Sequence, residues 1–177
     1  YNQAIPGVEP GLEAGSYYDP PNMTYPFGAY ICVMEIDVDT GTTEIRQVYA
    51  LDDCGTRINP MIIEGQVHGG LTEALAIAMG QEIAYDEQGN VTTGTLMDFF
   101  VPTAWETPNY QTDFTETPSP HHPIGAKGVG ESPNVGGVPA FSNAVHDAFK
   151  SFGLTQSHMP HDHWRIWKTA HNLGLHD

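Results

Sequence analysis

The sequence has few basic residues, few cysteines and no long apolar run. It contains 6 Lys and Arg against 22 Asp and Glu, for a formal net charge of −16, which excludes a surface that attracts nucleic acid or anionic membranes. No stretch approaches the roughly 18 apolar residues of a membrane span, and no signal-peptide pattern opens the chain. Two cysteines without a CxxC pair suit a reducing compartment, so we expect a cytoplasmic location.

What the chain does have is enough apolar residues for a core, at 40% of 177 residues. Its first 28 residues are instead rich in Pro and Gly and show no periodic core pattern, so we predict an irregular connecting arm over 1–28. The chain also begins with Tyr1 rather than Met. We therefore expect residues 29–177 to be the C-terminal part of a domain that belongs to a longer subunit.

The first half of the chain predicts a hairpin followed by a helix. β-branched and aromatic residues over 29–38 and 43–51 predict two antiparallel strands around a turn at 39–41. Asn59 can cap a helix that Pro60 opens and Gly80 closes. The apolar positions of that helix recur at helical spacing: Ile63, Val67, Gly70, Leu71, Ala74, Leu75 and Ala78. The helix also carries two glycines one turn apart, Gly65 and Gly69, which predict close approach by another backbone or by a bulky ligand.

The second half predicts shorter elements around a long loop rich in Pro and Gly. We expect a hairpin from 81–86 and 90–95, a strand over 109–116, an irregular loop over 117–139, a helix over 139–152 and a short helix over 164–173. The inner face of the helix over 139–152 is expected to hold Ala140, Ala144, Val145, Ala148, Phe149 and Phe152. The predicted fold class is α+β, a mostly antiparallel sheet with helices packed on one side.

The segment GAKGVGE, residues 125–131, is the strongest candidate for chemistry. Its glycines allow the backbone to pass close to a ligand, and Lys127 is one of few cations in an acidic chain, which points to an anionic cofactor. Glu131 precedes Ser132 near a predicted helix start, so we expect its carboxylate to be held in place, as suits a general base. A solvated glutamate on a Gly-rich turn is the alternative. The P-loop and dinucleotide-binding fingerprints are both absent.

The remaining candidate residues have mainly structural interpretations. The acid pair Asp52 and Asp53 beside Arg57 predicts a buried ion pair at the junction of hairpin and helix, and Cys54 is expected to fill core space rather than act as a nucleophile. Several histidines cluster in the sequence: His121, His122, His158, His161 and His163. They have no fixed helical geometry and favour a surface or interface role, so we assign no metal ligand. The tryptophans are expected to be core or interface anchors: Trp105, Trp164 and Trp167.

Three blocks of sequence, in order, resemble a known family. DDCGTRINPMIIEGQVHGGL, PSPHHPIGAKGVGES and the helix that begins near VPAFSNAVHDA are similar to the C-terminal region of the large subunits of molybdenum hydroxylases, the xanthine oxidase family. The resemblance covers the chain from Tyr17 onward. It is strongest to the branch of aerobic carbon monoxide dehydrogenases, in the segments PPNMTYPFGAYICVMEIDVDTG and DDCGTRINPMIIEGQVHGG.

The resemblance implies a molybdenum-cofactor-binding domain. Glu131 matches the family's active-site glutamate, which acts as a base beside the molybdenum, and Lys127, Gly128, Val129 and Gly130 match the loop that contacts the cofactor. That cofactor is expected to be molybdopterin cytosine dinucleotide with molybdenum. In the branch that oxidises carbon monoxide, copper is held by a cysteine that neither Cys32 nor Cys54 matches, in a part of the subunit outside this chain.

The resemblance also implies partners and an activity. The partners are the rest of the large subunit, an iron–sulfur small subunit and an FAD-binding medium subunit, in a dimer of heterotrimers, so this chain is not expected to be active alone. The implied activity is oxidation of carbon monoxide to carbon dioxide with water as oxygen source. Two alternatives remain open: a molybdenum hydroxylase for an aldehyde or an N-heterocycle, and an acidic module that only scaffolds an assembly.

Overall fold

A three-stranded sheet forms the base of the fold in this computed structural model, which describes Gly7 and residues 11–175. Strands β1 (Phe27–Ile36) and β2 (Thr43–Asp53) pair antiparallel, which confirms the predicted first hairpin. The predicted third strand is also confirmed, as β3 (Tyr110–Thr115), but it pairs parallel to β2. β2 is therefore the central strand, and its last residues lie between two neighbours.

The first helix, α1 (Pro60–Met79), begins where the sequence predicted. The Asn59 side chain accepts a hydrogen bond from the amide of Ile62 at 3.3 Å, and Pro60 occupies the first turn, where a missing N–H costs nothing. The buried residues of α1 follow the predicted stripe: Ile63, Val67, Leu71, Ala74, Leu75, Ala76 and Ala78. This stripe packs against Val48 and Ala50 of β2 and forms the main core.

The close approach predicted at Gly65 and Gly69 occurs elsewhere on α1. Nothing in the described part of the chain lies within 4 Å of a Cβ built on either glycine. The close contact is at Gly70, where a Cβ would stand 2.6 Å from Cγ of Pro133. Close approach by a backbone within the described residues therefore does not explain Gly65 and Gly69. Close approach by a bulky ligand stays a prediction.

The second helix, α2 (Ser132–Lys150), corrects two predictions. The sequence predicted an irregular loop through residue 139 and a helix only from there, but the helix already begins at Ser132 and ends before Phe152, which is exposed. Pro133 fits the first turn of a helix, and Gly137 is needed because a Cβ there would lie 2.7 Å from Cβ of Ala74. Tertiary packing thus accommodates a Gly- and Pro-rich segment as helix.

The predicted second hairpin is wrong. Residues 81–95 contain an isolated bridge between Tyr85 and Val91, but the described residues form no strand there. The apolar side chains Ile83, Tyr85 and Val91 are all exposed. Without a neighbouring strand or a covering helix, the segment has no surface against which a strand could form.

The last helix, α3 (His163–Asn172), closes a second core of Val145, Phe149, Ile166 and Ala170. Within 11–175 the outer face of the sheet has no helix against it, and its apolar side chains are exposed: Ile31, Val33, Tyr49 and Leu51. The α+β prediction with helices on one side is confirmed. Of the helices that the structure describes, none has the length and apolar character needed to cross a membrane. The division into an arm over 1–28 and a domain over 29–177 stays a prediction.

The aromatic and histidine predictions divide between surface and core. Trp105 is 93% exposed and Trp164 is exposed, so neither belongs to the core, while Trp167 stacks on Trp164 with ring centroids 5.1 Å apart. His161 is buried, not at the surface, and its Nε2 lies 2.8 Å from Oγ of Ser142. Within the described ranges, no group of three or more His, Cys, Asp or Glu side chains is placed to hold a metal ion.

Candidate functional site

The candidate site is the segment Lys127–Ser132, which passes beside the end of β2 and leads into the start of α2. The backbone on its N-terminal side is tied to the residues that directly follow β2: the amide of Lys127 donates to the carbonyl of Cys54 at 2.7 Å, and Gly55 forms a bridge with Ala126. Gly55 has a φ of +64°, and a Cβ there would collide with the carbonyl of Gly125. Glycine at 55 is therefore required for this close backbone contact.

The Lys127 ammonium does not point to solvent. Its Nζ lies 2.7 Å from Oδ1 of Asp53, and the two side chains are 6% and 0% exposed. The same Nζ lies 4.5 Å from the centroid of the Phe27 ring, a cation–π contact. The charge of Lys127 is thus neutralised inside the fold, so the ammonium is not a free cation for an anionic cofactor.

Asp53 is a buried carboxylate whose partners come from three parts of the chain. Besides Lys127, it accepts hydrogen bonds from the amides of Gly55 and Thr117, at 2.9 and 3.1 Å, and from Oγ1 of Thr115 at 2.9 Å. Burial alone would raise the pKa of Asp53, but the bonds from Lys127, Gly55 and Thr117 outweigh it and hold the pKa well below its usual value. Asp53 is therefore ionised across the physiological range.

The buried ion pair predicted at this junction exists, but with a different cation. Arg57 does not pair with either aspartate, and its guanidinium carbon lies 5.3 Å from the centroid of the Phe114 ring. The physical reason is that Lys127, distant in sequence, reaches the same carboxylate from a buried position. Cys54 is buried, as its structural interpretation predicts, and burial raises the pKa of its thiol.

The C-terminal end of the segment has its own anchor. Oγ of Ser132 donates to Oδ1 of Asp52 at 2.9 Å, and the hydroxyl of Tyr30 donates to the same oxygen in a short hydrogen bond. The two hydroxyl oxygens also lie 2.8 Å apart. Burial raises the pKa of Tyr30, and its bond to Asp52 raises it further, so the phenol remains a donor.

Between these anchors the backbone amides have no partner. Among the described residues, no group accepts a hydrogen bond from the amides of Gly128, Val129, Gly130 or Glu131. A Cβ on Gly128 would meet nothing within 4 Å, so the backbone is open there. Four adjacent N–H groups beside the N-terminus of a helix form a natural cradle for an anion.

The Glu131 carboxylate is exposed, which differs from the prediction that it is held in place. Glu131 is the N-cap residue of α2, but its backbone is helical and its side chain makes no capping bond. Nothing in 11–175 donates a hydrogen bond to its carboxylate. The fold thus fixes the backbone of Glu131 at the helix start and leaves both carboxylate oxygens available.

These residues fit an anionic, oxygen-rich cofactor better than a bare metal ion. The donors of the open segment are backbone amides, which bind phosphate and oxo groups, and not the thiolates or imidazoles that bind metals directly. The fit uses Gly128, Val129, Gly130 and Glu131 through the backbone. Lys127 contributes its position in the segment rather than its charge.

Two residues at this site were missed by the sequence analysis. Tyr30 was predicted only as a strand residue and Ser132 only as the residue after Glu131, yet together they place Asp52 against the start of α2. One signal was available: a polar pair at the end of a central strand must find hydrogen-bond partners if it is buried. The sequence could not say which residues those partners are.

Comparison with known proteins identifies the family. The molybdopterin cofactor-binding domain family matches residues 2–108. The chain is 72% identical to the carbon monoxide dehydrogenase large chain of Afipia carboxidovorans and 64% identical to that of Hydrogenophaga pseudoflava, each over 99% of this chain and 22% of the relative. A crystal structure of the Cu,Mo-CO dehydrogenase superposes with a TM-score of 0.92 at 71% identity, over 100% of this chain and 22% of that one.

The chain therefore spans about a fifth of the length of these relatives. The match in sequence and in structure extends over the whole arrangement described above, from β1 to α3. Together with the family match over residues 2–108, it confirms the resemblance found in the sequence. The chain belongs to the molybdopterin cofactor-binding domain family.

Proposed function

We propose that this chain is the part of a molybdenum hydroxylase large subunit that supplies the catalytic base and a cofactor-contacting segment for oxidation of carbon monoxide. The geometric observation that carries the proposal is the open middle of the segment Lys127–Ser132, where four unpartnered amides end at an exposed glutamate. The choice of carbon monoxide as substrate is supported by identities of 72% and 64% to large chains of carbon monoxide dehydrogenase.

The cofactor we propose is molybdopterin cytosine dinucleotide with molybdenum. We propose in addition a copper ion that is held by a part of the subunit outside this chain. When bound, this group supplies the two-electron redox chemistry. The chain's own contribution is to present the amides of Gly128–Glu131, with the helix N-terminus of α2 behind them, to its anionic oxygens. The absence of a side chain at Gly128 lets the cofactor approach the backbone.

Glu131 is proposed as the general base. Conversion of carbon monoxide and water to carbon dioxide releases two protons and two electrons, so a group beside the reacting oxygen must accept a proton. The Glu131 carboxylate is suited to this because no described residue occupies its lone pairs. Its backbone is fixed at the start of α2, which orients it relative to the amides.

The proposed partners begin with the rest of the large subunit. The outer sheet face, with Ile31, Val33, Tyr49 and Leu51 exposed, is the apolar surface we expect that remainder to cover. Beyond it we propose an iron–sulfur small subunit and an FAD-binding medium subunit, in a dimer of heterotrimers located in the cytoplasm. Nucleic acid is not among the proposed partners, because the chain is strongly acidic.

One observation keeps a non-catalytic function as the second candidate. A module that only scaffolds an assembly requires a solvated Glu131 remote from any cofactor, and Glu131 is exposed here. The two candidates differ in what surrounds this carboxylate in the complete enzyme. The test must therefore use the full complex.

The experiment replaces Glu131 by Gln in the full heteromeric enzyme and measures carbon monoxide oxidation per bound molybdenum. We expect turnover to fall by about 10² to 10⁴ with molybdenum content unchanged, because the base is lost and the cradle is kept. Glu116→Gln is the matched control, since Glu116 is also exposed and lies outside the segment, and it should keep full turnover.

Two results would contradict the proposal. Substantial residual turnover in Glu131→Gln would remove the assigned role and favour the scaffolding module. Plasma mass spectrometry of the active complex measures the metals directly. Molybdenum without stoichiometric copper would shift the substrate to an aldehyde or an N-heterocycle.

A further inference from the structure

The last two residues of β2 are both aspartates and both buried. Because successive side chains of a strand point to opposite faces, Asp52 and Asp53 reach different surroundings from adjacent positions. Buried carboxylates are costly unless they are fully partnered, so two in succession require an explanation. The mechanism proposed above uses neither of them.

Each aspartate holds a different end of the same short segment. Asp53 pairs with Lys127 at 2.7 Å, and Asp52 accepts from Ser132 at 2.9 Å. Glu131 immediately precedes Ser132 and is separated from Lys127 by three residues. The exposed carboxylate therefore lies on a chain of six residues that is fixed at both ends to one strand.

Tyr30 is built into the second of these anchors. Its hydroxyl bonds to Asp52 and lies 2.8 Å from Oγ of Ser132. Its ring fills a slot that exists only because two neighbours lack a side chain: a Cβ on Gly136 would overlap the ring, and one on Gly28 would stand 2.5 Å from the hydroxyl oxygen. The Tyr30 ring therefore packs directly against the backbone of α2 at Gly136.

We propose that Asp52 and Asp53 are positioning residues that clamp the segment Lys127–Ser132 at its two ends and thereby fix the backbone of Glu131, from which its carboxylate reaches toward the cofactor. This inference rests on the proposed function for the identity of the base. The clamp itself is independent of it, since it is made of contacts within the chain. The ion pair with Asp53 holds the Lys127 end, and the hydrogen bonds among Asp52, Tyr30 and Ser132 hold the other end.

The test uses the full complex with three variants on one helix. Ser132→Ala removes the donor to Asp52, Ser132→Thr restores a hydroxyl, and Ser142→Ala is the matched control, because Ser142 lies on α2 and contacts His161 far from the segment. Asp53→Asn weakens the opposite end and serves as a second route if Ser132→Ala does not assemble. Two readouts are measured, one without cofactor and one with it.

The first readout is hydrogen exchange in complex prepared without the molybdenum cofactor. The amide of Ser132 donates to the carbonyl of Val129 at 3.2 Å, and that of Lys127 donates to Cys54 at 2.7 Å. We expect exchange at Ser132 to be about tenfold faster in Ser132→Ala, and exchange at Lys127 to be about tenfold faster in Asp53→Asn. Ser132→Thr and Ser142→Ala should match the wild type.

The second readout is the kinetics of the loaded enzyme per bound molybdenum. A displaced base lowers kcat about tenfold and leaves KM unchanged, and Ser132→Thr recovers kcat. Exchange and kcat in Ser132→Ala equal to those in Ser142→Ala would overturn the clamp. Full turnover in Glu131→Gln would instead overturn the proposed function, and the exchange readout would still decide whether the clamp holds the segment.

Discussion

The ends and the middle of the segment Lys127–Ser132 differ in almost every physical respect. At the anchored ends, Lys127 and Ser132, the side chains reach buried carboxylates and form hydrogen bonds. In the open middle, from Gly128 to Glu131, the amides and the carboxylate have no partner among the described residues. The contrast teaches that the fold satisfies the neighbours of the candidate binding groups and leaves those groups themselves unsatisfied.

This division follows from the different costs of burial and exposure. A charge in the interior is costly unless it is paired, as Asp53 is with Lys127, so that anchored end should tolerate little change. An exposed amide or carboxylate is solvated by water and can exchange that water for a ligand. Substitutions at the ends should therefore change stability, and turnover only through the position of Glu131. Substitutions in the middle should change cofactor binding or turnover directly.

The largest effect on stability is expected from Lys127→Met in the complete subunit. It leaves Asp53 buried without its counter-charge, which should destabilise the fold by about 3–5 kcal/mol. Lys168→Met is the control, because Lys168 is exposed on α3, and it should stay within about 0.5 kcal/mol of the wild type. Thermal unfolding of both variants measures the difference. Equal melting temperatures would show that the ion pair does not stabilise the anchored end.

Acid should weaken the same anchored end. The pKa of Asp53 is lowered in the folded chain relative to the unfolded value of about 3.9, so its contribution is present above about pH 4 and is lost as the pH falls further. Melting temperatures of the wild type and Asp53→Asn, measured from neutral to acid pH, should converge below about pH 4. A gap that stays constant through this range would contradict the assignment.

His161 also titrates with pH, so the test compares the melting temperatures of the wild type and Asp53→Asn instead of following the wild type alone. Burial, together with nearby Arg165, lowers the pKa of His161, so its contribution to stability is lost as the pH falls below about 6.5. This loss is common to the wild type and Asp53→Asn. It therefore cancels in the gap between their melting temperatures.

A smaller effect is expected from Gly136→Ala, which tests the slot of Tyr30. The added methyl would overlap a ring that is hydrogen-bonded to Asp52 and Ser132, so either the ring or α2 near Gly136 must shift, at a cost of about 1–3 kcal/mol. Gly153→Ala is a poor control because its φ of +97° adds strain. Gly65→Ala is suitable, since nothing described lies near that position. A melting temperature of Gly136→Ala equal to that of the control would show that the ring can move.

The parts of the fold that local patterns determine could be predicted from the sequence. Asn59, Pro60 and the apolar stripe of α1 gave its bounds, and β-branched residues gave the first hairpin. The start of α2 could not be predicted, because Pro133 and the glycines after it favour a loop locally and become helical only against Tyr30 and α1. The direction of β3 could not be predicted either, because β3 pairs in parallel with β2, a strand that is distant in sequence.

The candidate segment could be chosen from the sequence, but its electrostatics could not be predicted. The glycines and Glu131 marked residues 125–131 as the segment of interest, and the family resemblance implies roles for them that stay predictions. The sequence indicated that Lys127 provides a cation for an anionic cofactor, whereas in the structure Lys127 forms an ion pair with Asp53. Which of Arg57 and Lys127 reaches a buried carboxylate depends on tertiary contacts that no spacing rule contains.

The smallest effect on stability is expected from Gly128→Ala, which tests the open middle. A Cβ at this position meets nothing within 4 Å in the described residues, and the φ of Gly128 is not positive, so the melting temperature of the cofactor-free subunit should change by less than the equivalent of about 0.5 kcal/mol. The same methyl should lower molybdenum content per subunit, because it lies where we propose that the cofactor approaches the amides. Gly89→Ala, at an exposed turn with a φ of +83°, should do the reverse, with lower stability and normal molybdenum content. Normal molybdenum content in Gly128→Ala would remove the close approach from this part of the segment and confine the proposed contact to Val129–Glu131.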